Sequence, residues 1–98
     1  MEIQVQAVGF RADQKLIDFA TSRVEKLTHF SENIVNAEVF FRLDNTTNVD
    51  YKVAEVKLII PGNDLFAKKQ CKSFEEAIDE SVDALKKQIE KIKGKQQK

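Results

Sequence analysis

The sequence predicts an α+β domain of order β-α-β-β-β-α, a two-layer sandwich in which a four-stranded sheet carries two helices on one face. Three observations lead there: polar and apolar residues alternate with period two in several short segments, apolar residues recur at helical spacing in two longer ones, and turn-forming residues separate them.

Glu2-Ile3-Gln4-Val5-Gln6-Ala7 alternates as a half-buried strand does, and Gly9 breaks it. From Asp13, a residue suited to an N-cap, Leu16, Ile17, Ala20, Val24 and Leu27 trace one face of a helix of about four turns. Alternation returns over 34–43, with Val35, Ala37, Val39, Phe41 and Leu43 on one face. The polar run Asp44-Asn45-Thr46-Thr47-Asn48 follows, and then Ala54, Val56, Leu58 and Ile60 occupy every second position, so an antiparallel hairpin is expected. Pro61-Gly62-Asn63-Asp64 is a turn, and Leu65 to Cys71 becomes a fourth strand with Leu65, Ala67 and Cys71 inward. Lys69 falls on that same inward face and conflicts with it. Ser73 and Glu76 have capping-box spacing. Behind them Phe74, Ile78, Ser81 or Val82, Leu85, Ile89 and Ile92 form an apolar stripe running to near Gly94. The single domain is expected over 1–94, with Lys95-Gln96-Gln97-Lys98 as a disordered basic tail. A strand-helix-strand start implies a right-handed crossover and a parallel first pair, and the short turns that follow imply an antiparallel meander.

With 98 residues, 42% of them hydrophobic, the chain can bury one core. Its 16 basic and 16 acidic residues balance, so nucleic-acid binding would have to come from local patches. Cys71 is the sole cysteine, which excludes an intramolecular disulfide and fits a reducing compartment. Leu58-Ile59-Ile60 is far shorter than a membrane span, and Met1-Glu2 begins no basic-then-apolar leader, so a soluble cytoplasmic protein is expected.

One histidine, one cysteine and no glycine-rich phosphate loop leave no set of residues for nucleophilic catalysis, and no Cys/His spacing for a metal. A non-enzyme without a cofactor is expected. Glu75, Glu76, Asp79, Glu80 and Asp83 fill the first half of the second helix, where negative charge suits the helix dipole. In its second half Lys86, Lys87, Lys91, Lys93, Lys95 and Lys98 face only Glu90. The first helix adds Lys15, Arg23, Lys26 and His29 off its apolar face. Such charges are often no more than a solvated face, but on two helices lying side by side they would form a strip able to meet backbone phosphates of folded RNA. The opposite sheet face would mix Phe40, Arg42, Tyr51, Lys57, Phe66 and Lys68. That mixture serves base stacking in some sheets, and ordinary packing or self-association in most.

The element order, Arg23-Val24-Glu25-Lys26-Leu27 closing helix one, Ala77-Ile78-Asp79 opening helix two and the run Leu85 to Lys93 together resemble the ribosome hibernation-promoting factor family. That family includes the ribosome-associated translation inhibitor, and some members are labelled sigma factor modulation proteins. The resemblance spans nearly the whole chain and is to the short form. It implies a fold like a double-stranded-RNA-binding domain with an added N-terminal strand. It also implies docking on small-subunit rRNA in the mRNA and tRNA channel, and inhibition of translation under stress or in stationary phase. Basic residues of both helices would make the contacts: Arg23, Lys26, Lys87, Lys91 and Lys93 match such positions, with His29 and Lys86 beside them. Ser73-Phe74-Glu75 and Ala84 depart from the family pattern, which often has Asp-Met-Tyr and a lysine there. The alternatives are a protein-interaction module acting on a sigma factor, and a general RNA-binding domain.

Overall fold

A computed structural model describes residues 1–31, 33–44 and 51–96, with side chains as far as Ile92. The elements are β1 (Glu2–Val8), α1 (Gln14–Glu25), a 3₁₀ turn (Lys26–His29), β2 (Asn36–Asp44), β3 (Tyr51–Ile59), β4 (Leu65–Cys71) and α2 (Phe74–Gln96). The strands form one sheet in the order β1-β2-β3-β4. β1 pairs with β2 in parallel, and the other two pairings are antiparallel. The expected hairpin loop lies mostly in 45–50, outside the described residues.

Local chemistry sets the element ends. The Asp13 carboxylate accepts a 2.8 Å hydrogen bond from the Leu16 amide and starts α1. The Ser73 hydroxyl oxygen accepts one from the Glu76 amide at 3.1 Å and starts α2. Between β3 and β4 the Asn63 amide donates to the Ile60 carbonyl at 3.0 Å, with Gly62 at φ +82°. Proline followed by a positive-φ glycine is what a type II turn requires.

Both helices cover the same sheet face. Ala37, Val39 and Phe41 of β2, Ala54, Val56 and Leu58 of β3, and Leu65 and Ala67 of β4 meet Ala20, Val24 and Leu27 from the first helical segment and Ala77, Ile78, Leu85 and Ile89 from α2 in one core. Phe74 stacks on Phe10 and meets Phe41 edge-on, each at 5.0 Å between centroids, fixing the start of α2 over the sheet.

Several expectations need adjustment. Ser81, not Val82, is the fully buried residue at that point of α2, and its hydroxyl lies 3.4 Å from the Ala54 carbonyl oxygen. Val82 is displaced toward α1. Val35 and Leu43 are 52% and 40% exposed: the first precedes β2, and the second lies opposite Lys52, beyond the last row of core side chains. Ile34 is buried in their place. Helix one changes to 3₁₀ geometry at Lys26 instead of running on as α-helix. α2 continues through Gly94 to Gln96, so the expected tail begins inside it. One glycine costs a helix about 1 kcal/mol, too little to stop one this long. Lys69 does point to the helix side, opposite Ala54, but β4 is an edge strand. From there the lysine borders a hollow with Asp79, Glu80 and Asp83 of α2, which removes the conflict.

Leu85→Ala, at a fully buried position, is expected to lower unfolding free energy by about 2–5 kcal/mol in a urea titration. Leu43→Ala is expected to change it by no more than about 0.5 kcal/mol.

Candidate nucleic-acid interface

Because α1 and α2 lie against each other on one face, their edges enclose a groove whose floor is Leu27, Phe30 and Val82 and whose rims carry the cations Arg23, Lys26 and Lys86 together with the acids Asp79 and Asp83. Arg23 stands in the last turn of α1. Its guanidinium lies 4.7 Å over the Phe19 ring, and its Nε is 3.0 Å from Asp79 Oδ1 on α2. The Nε–H is not aimed at that oxygen and has no hydrogen-bond partner among the described residues, so the contact is an ion pair alone. Lys86 Nζ sits 4.8 Å over the Phe30 ring. Both cations are thus held over aromatic faces, a geometry worth about 0.5–1 kcal/mol each at exposed sites.

The remaining expected site residues are arranged more loosely. Lys26 and His29, at the two ends of the 3₁₀ turn, are exposed and share a shallow hollow with Ser22 and Glu25. Lys87 is exposed and pairs with Asp83 one turn earlier at 3.2 Å. Pairs of this kind contribute about 0.3–0.5 kcal/mol, so the lysine is easily recruited elsewhere. Lys91 is exposed one turn further on, and the Lys93 side chain lies outside the described residues. Lys15, by contrast, sits at the start of α1 beside Phe10 and Arg11, away from the groove. Sequence reasoning missed Phe19, Phe30 and Asp79 as partners of the cations. Phe19 and Phe30 stand off the apolar stripe as read, and Asp79 passed as one of five acids answering a helix dipole.

The opposite sheet face gathers the mixed residues as expected, but its charges satisfy one another. Glu55, its side chain only 13% exposed, receives Arg42 at 3.4 Å and Lys68 at 3.7 Å, and Lys57 lies 3.7 Å from Asp64. Phe66 remains 53% exposed. This face has less unspent positive charge than the helix side.

Cys71, half-buried, donates its S–H to Glu80 Oε2 at 3.0 Å. Burial raises its pKa to about 11, helped by that hydrogen bond and by the Glu80 and Glu76 charges and opposed by Lys69. Sγ and the two carboxylates lie within 4.8 Å of one another. A thiol held protonated is a poor ligand, however, and nothing further marks a metal site.

The fold defines a small two-layer α+β domain in which a four-stranded mixed sheet carries two helices. The chain belongs to the sigma 54 modulation protein / S30EA ribosomal protein family, whose model matches residues 3–97. Among solved structures, it is similar to a ribosomal subunit interface protein from Coxiella burnetii at TM-score 0.85 and 18% identity, covering 96% of this chain and 99% of that one. It is also similar to the N-terminal domain of Thermus thermophilus Protein Y at TM-score 0.81 and 19% identity, covering 94% and 99%. No curated protein matches the chain significantly.

Alkylation of Cys71 by iodoacetamide at pH 8 is expected to run roughly tenfold or more below a model thiol, after allowing for the higher intrinsic nucleophilicity of a high-pKa thiolate. Glu80→Gln removes one negative neighbour, lowers the pKa and accelerates the reaction.

Proposed function

We propose that this protein is a non-enzymatic, cytoplasmic, ribosome-associated factor that binds small-subunit rRNA in the mRNA and tRNA channel and thereby holds translation silent. The observation that carries this reading is the placement of Arg23, Lys26 and Lys86 on facing rims of one interhelical groove, with exposed Lys87 and Lys91 continuing along α2. His29 and Lys93 are included as flanking contacts. Membership in a family described by a ribosomal protein supports it, as does the neighbour named as a ribosomal subunit interface protein. The mechanism is steric: cations neutralise rRNA phosphates, and the rest of the domain occupies space that mRNA and tRNA need. It requires no cofactor or metal. Among the described residues no helix is long and apolar enough to cross a membrane.

Sucrose-gradient co-sedimentation with bacterial ribosomes at graded salt tests this reading. If about four phosphates are neutralised, the affinity for small subunits should fall with salt at a log-log slope of about −3. Lys87→Glu with Lys91→Glu should abolish migration with the subunit while leaving helicity intact, since both side chains are exposed. A protein that stays at the top of the gradient at every salt overturns the proposal. The 53% exposed Phe66 on the open sheet face, together with the sigma 54 wording of the family description, favours a sigma-factor interaction module as the second reading. A pull-down that returns a sigma factor and no ribosomal component, lost in Phe66→Ser, would establish that one instead.

A further inference from the structure

We infer that Asp79 is a positioning residue that, with Phe19, holds the Arg23 guanidinium as a preformed phosphate clamp at the α1–α2 junction. The inference rests on the rRNA-binding reading above. Three contacts define it. The Phe19 ring lies 4.7 Å beneath the guanidinium carbon, Asp79 Oδ1 lies 3.0 Å from Nε across the helix interface, and the Arg23 side chain still keeps 37% of its surface open. A planar group with five donors is therefore backed on one face by the ring and held near Asp79 by charge, while part of it stays available to an incoming oxygen anion.

Arg23 differs in this from Lys26, Lys87 and Lys91. Those ammonium groups are exposed on flexible stems, and a phosphate that meets them must first immobilise them. Arg23 is immobilised before the ligand arrives. The other ring-seated cation, Lys86, has a ring beneath it and no acid within ion-pair distance among the described residues.

Asp79 acts on RNA in two opposite ways. Its negative charge repels phosphates approaching the groove, and its contact with Nε orients the arginine that receives one. The Asp79 side chain is 51% exposed, so its repulsion is screened by solvent and falls away beyond a Debye length of about 8–10 Å. The contact with Arg23, at 3.0 Å, lies far inside a Debye length, so salt weakens it less than it weakens the longer-range repulsion. Orientation therefore outweighs repulsion, and the two effects predict opposite signs for the same substitution.

Asp79→Asn makes the protein more positive by one charge at an exposed, near-isosteric position. Purified small ribosomal subunits are titrated with the full chain at several salt concentrations, using the parent, Asp79→Asn, Arg23→Ala and the double variant. The clamp predicts that Asp79→Asn binds roughly tenfold more weakly despite the added positive charge, the size of one lost charge-assisted contact. The salt slope should shrink by about one, and the substitution should cause no further loss in the Arg23→Ala background. Arg23→Lys, which keeps the charge but loses the planar group, should bind as weakly as Arg23→Ala. Binding by Asp79→Asn equal to or tighter than the parent, parent-like binding by Arg23→Lys, or the same loss with and without Arg23 would each overturn the clamp. Nitrogen-15 relaxation of Arg23 Nε in the free protein gives a second readout: restricted motion in the parent, released in Asp79→Asn. If the parent itself fails to bind subunits, the ribosomal reading falls, and the relaxation measurement still decides whether Asp79 fixes Arg23.

Discussion

The seat of α2 on β3 is the constraint from which the rest of the molecule follows. Ala77 and Ser81 are both fully buried. Their small side chains let the helix approach the strand at Ala54, whose carbonyl oxygen lies 3.4 Å from the Ser81 hydroxyl. At that distance Ile78, Leu85 and Ile89 reach the core. They leave room on the sheet for one more helix, and α1 fills it with Ala20 and Val24, again short residues. Two helices seated this closely must touch each other. Their contact brings Arg23 to Asp79, and the 3₁₀ turn after α1 brings Phe30 beneath Lys86.

Most of the fold was legible in the sequence because strands and helices bury alternate or every third-to-fourth residue, and the caps at Asp13 and Ser73 are local. Depth was less legible. Periodicity states which face a residue occupies but not whether a partner lies across from it, so Val35 and Leu43 shared the pattern of Ala37, Val39 and Phe41 without sharing their burial. Ser81 and Val82 could not be separated for a related reason: the polar residue is the smaller one, and the choice depends on how near β3 lies. Lys69 conflicted with its register only until β4 proved to be an edge strand.

The candidate site was legible as residue types on two helices and illegible as an arrangement. Arg23, Lys26, Lys86, Lys87 and Lys91 were recognised by charge and by resemblance. What holds Arg23 and Lys86 was not, because Asp79 stands 56 positions from Arg23 in the chain, and pairing across such a separation depends on packing. An acid in a helix's first half has a sufficient local explanation in the dipole. That explanation concealed its contact with Arg23 across the helix interface.

Charge balance across the whole chain is compatible with binding a polyanion because electrostatics in salt water is short-ranged. What matters is which charges remain unspent on one surface. On the open sheet face Glu55 takes up Arg42 and Lys68, and Asp64 takes up Lys57. On the helix face the cations are paired less completely. Asp83 holds Lys87 through an exposed pair that is cheap to break, while Lys26 and Lys91 lie in no ion pair among the described residues. The surface thus combines exposed lysines on flexible stems with one arginine that lies over a ring and beside an acid. Attraction alone would bind any polyanion about equally well. A fixed guanidinium flanked by an acid accepts a phosphate only where the backbone runs past the helix junction at the right angle. If the proposed clamp operates, shape selectivity depends on the acid as much as on the bases.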